Sequence, residues 1–146
     1  MCRALRVDKV SLAGLRDTLR LLLVEERALA RVPALASLSE PLEAVRNRAV
    51  GLADAVPDSL GAEVVEVEGR VGGGTYPDTP VASVAVRLRP SGDVKAFARG
   101  LRLSDPAVVG RVEDGAILLD MRTVRDADTA SLLTVLLAAA DASRAS

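Results

Sequence analysis

The stretch RALRVDK, Arg3 to Lys9, carries three cations at intervals of three residues. A guanidinium presents planar N–H donors that match two oxygens of a carboxylate or phosphate, so arginines so spaced could grip an oxyanion. A helix would hold Arg3, Arg6 and Lys9 along one drifting face, whereas an extended chain would scatter them as a solvated charge cluster. A second candidate, Arg111, stands in the apolar run VVGRV, just before Glu113, Asp114 and Gly115. An arginine buried in a strand needs a partner. Arg111 either pairs with Asp120 or Glu113 across a hairpin or reaches a substrate carboxylate or phosphate. Asp120 and Arg122, two apart on the same expected strand, pose the same choice.

Other chemistries find less support. The chain of 146 residues has no histidine and one cysteine, Cys2, so an internal disulfide and a cysteine-only metal site are excluded. The usual zinc, haem and acid–base roles lose their commonest residue. Only Lys9 and Lys95 could serve as amine nucleophiles, and Lys95 falls on the polar side of an expected helix. The run GGGT, Gly72 to Thr75, invites a phosphate-loop reading. No GK[ST] follows and Tyr76-Pro77 comes next, which favours a glycine-permitted bend between strands. With 19 basic and 20 acidic residues the chain has no global footprint for nucleic acid or an anionic membrane. No apolar run approaches a bilayer span and no leader is evident, so a soluble, cytoplasmic chain is expected, with no membrane partner.

The elements that must position these residues follow from periodicity. Ser11 can cap a helix running to about Arg27 on Leu12, Leu15, Leu19 and Leu22. Ser39 can cap a second, with Pro41 in its first turn and Leu42, Val45, Ala49, Leu52 and Val56 on one face, ended by Pro57. From Ala62 the period changes to two, through Val65 and Val67, and again through Ala82, Val84, Val86 and Leu88. A short helix on Phe97 and Leu101 follows, with Asp93 in its first turn. Next comes a hairpin about Asp114-Gly115, the strongest short-range hairpin signal in the chain. A last helix spans roughly Asp128 to Ala142. The expected class is α+β, two N-terminal helices and then β-β-α-β-β-α, a sheet covered by helices on one face. The expected division is an N-terminal helical segment, 1–60, and a small α+β domain, 61–146.

Taken together and in order, RALRVDKVSLAGLRDTLR, PALASLSEPLEAVRNRA, VGGGTYP and PAVVGRVEDGAILLDMRTV resemble the C-terminal part of bacterial selenocysteine synthases, the L-seryl-tRNA(Sec) selenium transferases. The resemblance implies the small domain of a fold type I pyridoxal-phosphate enzyme that converts seryl-tRNA(Sec) to selenocysteinyl-tRNA(Sec) with selenophosphate. It further implies a homo-oligomer whose cofactor lysine and tRNA-engaging region lie upstream of RALR, in a large domain outside this sequence. Neither Lys9 nor Lys95 matches that lysine, so this chain alone is expected to be inactive. Arg3 and Arg6 match the two arginines of the family's RALR, which line the anion-binding part of its active site, and Arg111 matches a small-domain arginine suited to a substrate carboxylate. On the same resemblance GGGT belongs to a strand junction. The alternatives are the small domain of a paralogous pyridoxal-phosphate lyase, and a non-catalytic association module with Leu12, Leu15 and Leu19 unmasked.

Overall fold

The computed structural model describes residues 7–70 and 80–144; Arg3, Arg6 and the GGGT run lie outside the described residues. By its contacts the chain divides into two units, Met1–Ser39 and Glu40–Ser146. The boundary expected at residues 60 and 61 therefore falls inside the second unit, because the helix before it contributes its apolar face to the sheet core.

The first unit holds α1 (Lys9–Leu22), α2 (Glu25–Arg31) and α3 (Pro33–Ser39). Asp8, rather than Ser11, caps α1: its carboxylate accepts from the backbone N–H groups of Val10 and Ser11 at 2.8 and 3.0 Å. The Ser11 hydroxyl donates to the other carboxylate oxygen at 2.6 Å. The helix stops at Leu22, short of Arg27, because Val24 turns extended (φ −125°) and starts a separate helix. Leu12, Leu15, Leu19 and Leu22 form a row along α1, each about half exposed.

The hydrogen bond from the Ser11 hydroxyl, followed by that from its backbone N–H, holds the Asp8 carboxyl below the usual carboxylate range, against a smaller opposing effect of desolvation. A folded-state value below the unfolded one means that the cap contributes fully above the ordinary carboxylate range and is lost as pH falls through the depressed value. Amide resonances of Val10 and Ser11 are expected to titrate with that depressed midpoint in an NMR series, and Asp8→Ala should abolish the transition.

In the second unit, α4 (Leu42–Ala55) precedes β1 (Glu63–Arg70), β2 (Pro80–Leu88), α5 (Val94–Leu103), β3 (Arg111–Glu113), β4 (Ala116–Asp120) and α6 (Asp126–Arg144). The four strands form one antiparallel sheet in the order β1-β2-β4-β3. The α+β class and the two-period of the strands hold. Val84, Val86, Leu88, Ile117 and Leu119 face the helices and form one buried cluster with Val45, Ala49 and Leu52 of α4, Phe97 and Leu101 of α5, and Leu132 and Leu136 of α6. Ser83 and Ala85, on the other face of the central strand β2, are buried as well.

Local signals differ in detail. Ser39 does not cap α4; its hydroxyl donates back to the Ala36 carbonyl at 3.2 Å, and Pro41 occupies the cap position with no side-chain hydrogen bond. Asp93 is the N-cap of α5, accepting from the Lys95 N–H at 2.9 Å. Asp114 and Gly115 both have positive φ, 48° and 70°, as a type I′ hairpin requires. The first arm of that hairpin is short because Gly110 lies hard against β4: a Cβ there would come within 2.5 Å of Ile117 Cγ2 and 3.0 Å of the Leu118 carbonyl. Among the described residues no helix is long and apolar enough to cross a membrane.

Candidate functional site

Arg111 opens β3, and its register partner is Leu118, which in turn faces Arg87 on β2 and, one strand further, Glu63 on β1. This row crosses the sheet on the face away from the helices. Arg111 is exposed there, which removes the reason to expect a compensating ion pair. Neither pairing anticipated for it is made among the described residues. Asp120 sits two residues beyond Leu118 and instead accepts from the Ser83 hydroxyl and from the Arg122 N–H, the latter at 3.1 Å.

A hollow of about 400 Å³ opens on this face, with Ala116 and Leu118 in its floor and Arg87, Arg89 and Arg111 around it. Glu63 already engages Arg87 at 3.3 Å and Arg89 at 3.8 Å, whereas Arg111 holds no ion pair among the described residues. Glu68, Glu113 and Asp114 also line the hollow, so acids and arginines balance three to three. An oxyanion would find its least committed donor at Arg111.

The most elaborate polar cluster was not anticipated from the sequence. Arg48 of α4, with a side chain only 6% exposed, makes a two-pronged pair with Glu40 at 2.8 and 2.7 Å. It also donates to the Met121 carbonyl at 3.0 Å and pairs with Asp126 at the start of α6. Arg122 does not lie on a strand face with Asp120: the chain leaves β4 in a 3-10 turn, Met121–Thr123, and carries the side chain inward. There it donates to the Ala82 carbonyl at 3.1 and 2.7 Å and to the Glu40 carbonyl at 2.8 Å. Two arginines thus hold Glu40, one at its carboxylate and one at its backbone. The signal for Arg48 was present, since it lies three residues after Val45 and four before Leu52 and so shares their buried face.

Lys9 and Lys95 are both exposed, and neither lines the hollow beside Arg111. Among the described residues no group of three or more cysteine, aspartate or glutamate side chains could hold a metal ion.

Comparison with known proteins adds a family. Residues 1–125 match the family model described as L-seryl-tRNA selenium transferase. Among curated proteins, the L-seryl-tRNA(Sec) selenium transferase of Desulfomicrobium baculatum is 43% identical over 133 residues, covering 88% of this chain and 29% of the relative. The protein of the same name from Solidesulfovibrio magneticus is 39% identical over 141 residues, 92% of this chain and 30% of the relative. That from Carboxydothermus hydrogenoformans is 37% identical over 128 residues, 85% of this chain and 27% of the relative. The chain spans less than a third of the length of these relatives.

Proposed function

The chain belongs to the L-seryl-tRNA selenium transferase family, and on that premise we propose that it is the C-terminal portion of an enzyme that converts seryl-tRNA(Sec) to selenocysteinyl-tRNA(Sec). The observation that carries this reading is an ordered match through nearly all of this chain and less than a third of each relative. In this reading selenophosphate is the selenium donor and pyridoxal phosphate the cofactor, which supplies an electron sink when bound. Neither Lys9 nor Lys95 matches the lysine to which the resemblance attaches that group. We assign it to a large domain that the N-terminal helical segment would join.

What this portion contributes is charge and placement. Arg3 and Arg6 bind the donor's phosphate or the substrate anion, and Arg111 is a third, sheet-borne contact of the same kind. Fixed guanidinium donors stabilise such an anion most where water is excluded, so this portion is inactive until its large domain closes the pocket. The tRNA is engaged through other regions, in keeping with the balanced charge of this chain and its shortage of aromatic residues for stacking. The assembled enzyme is a cytoplasmic homo-oligomer.

The cofactor assignment is tested by adding equimolar pyridoxal phosphate to the chain, reducing with borohydride and measuring intact mass. No stoichiometric adduct is expected; a one-to-one adduct at Lys9 or Lys95 would overturn the assignment.

A further inference from the structure

Helix α5 buries Phe97, Ala98 and Leu101 and turns Lys95, Arg99 and Arg102 to solvent. At 3.6 residues per turn the three cations fall within about 60° of arc, about 6 Å and then about 4.5 Å apart along the axis. The helix carries no acid to balance them, and among the described residues none of the three is in an ion pair. By contrast Arg16, Arg46, Arg48, Arg87 and Arg125 each face an acid. The stripe instead sets Lys95 beside Arg99 at i, i+4 and Arg99 beside Arg102 at i, i+3, like-charge neighbours that weaken a helix. Lys95 also stands in the first turn, where the helix dipole disfavours a cation. Local rules broken together in this way mark a surface shaped by something outside the helix.

On one flank of the stripe lie Ala96, Gly100 and Leu103, all exposed, Leu103 by 74%. The two small residues keep that flank low, and a Cβ added at Gly100 would meet nothing, so another helix can approach closely. Val109, exposed by 76%, follows Val108, whose N–H donates to the Leu101 carbonyl at 2.8 Å. Uncommitted cations beside apolar surface are complementary to carboxylates beside apolar side chains on one face of a helix. An RNA backbone has phosphates for the cations but nothing to cover Leu103 and Val109. Phe97, the aromatic residue of α5, is buried where no base can stack. Nor does this chain supply the occupant, because no described helix sets three acids at that spacing on one face.

We propose that the outer face of α5 docks an acidic amphipathic helix of a partner protein, its carboxylates opposite Lys95, Arg99 and Arg102 and its apolar side chains over Leu103. The inference goes beyond the transfer chemistry and does not rest on it. Exposed ion pairs are individually weak and screened by salt, so the docking is reversible and falls off as ionic strength rises.

Fluorescence anisotropy of a labelled synthetic helical peptide, with three glutamates on one face at the matching spacing and leucines beside them, titrated with this chain provides the test. Saturable binding that weakens with added salt is expected. The triple variant K95E/R99E/R102E changes only exposed positions to another good helix former, and circular dichroism checks that its fold is kept. It should weaken binding about tenfold or more, since three pairs are lost and like charges meet. A peptide with lysines in place of the glutamates should bind the triple variant and not the original chain. Labelled oligouridylate and phosphatidylserine vesicles, which offer anions without an apolar helix face, should be held more weakly than the acidic peptide. No saturable binding of that peptide, binding that the triple variant leaves intact, or tighter hold on the oligouridylate or the vesicles through the same three cations would overturn the proposal.

Discussion

Replacing Arg48 with alanine is expected to lower the unfolding free energy by about 3 to 5 kcal/mol, the range for removing one partner of a buried ion pair. The side chain is only 6% exposed, and its two-pronged bond to Glu40 is the first cause of its raised pKa, ahead of the opposing effect of its own burial. Without it the Glu40 carboxylate, itself only 22% exposed, loses its counter-ion, while the Met121 carbonyl loses a donor. The Asp126 contact matters less, since that side chain is 86% exposed and well screened by water. Asp126→Asn should therefore move stability by less than about 1 kcal/mol. The double variant R48M/E40M should cost less than R48A alone, because it removes both charges and leaves none stranded. Urea unfolding followed by circular dichroism measures all three. A loss below about 1 kcal/mol for R48A would contradict the account, since that is the worth of an ordinary surface pair.

The second large effect concerns activity. In a protein that joins this chain to the upstream sequence of a relative, Arg3→Ala or Arg6→Ala is expected to slow selenium transfer about 100-fold or more, as loss of a fixed donor to a reaction-site anion does. Arginine-to-lysine variants should recover part of the rate, because they keep the charge and lose the two-pronged geometry. Turnover of seryl-tRNA(Sec) at varied selenophosphate separates binding from rate. Full activity in either alanine variant would remove that arginine from the anion-binding role.

The architecture was largely legible because its signals are local and periodic. Val84, Val86 and Leu88 alternate, Val45, Ala49 and Leu52 repeat at helical spacing, and Asp114-Gly115 occupies a turn whose φ values suit those residues. What escaped were choices settled by contacts distant in sequence. Capping of α1 fell to Asp8, one turn before the favoured Ser11, and at α4 Pro41 rather than Ser39 took the cap position. Arg111 looked buried because its sequence neighbours are apolar, yet β3 is a sheet edge, and strand order cannot be read from neighbours alone. Arg122 looked like a strand residue because β4 offers no sequence mark where it turns into the 3-10 segment that draws the side chain inward. The Arg122 arm of the clamp on Glu40 joins residues 82 positions apart, a separation at which pattern carries no signal, whereas the spacing of Arg48 from Val45 and Leu52 does mark its buried face. The anion-binding role proposed for the arginines of RALR rests on the family resemblance, since charge spacing by itself is equally satisfied by a solvated cluster.

The central claim, that this chain is the C-terminal portion of a selenium transferase, is tested most directly by exchange. The matching stretch of the Desulfomicrobium baculatum relative is replaced by this chain, and conversion of seryl-tRNA(Sec) to selenocysteinyl-tRNA(Sec) is measured with selenophosphate present. The account predicts a folded, cofactor-loaded chimera that converts the substrate, while the relative truncated before this stretch does not. A chimera that folds and loads cofactor yet forms no selenocysteinyl-tRNA would contradict it.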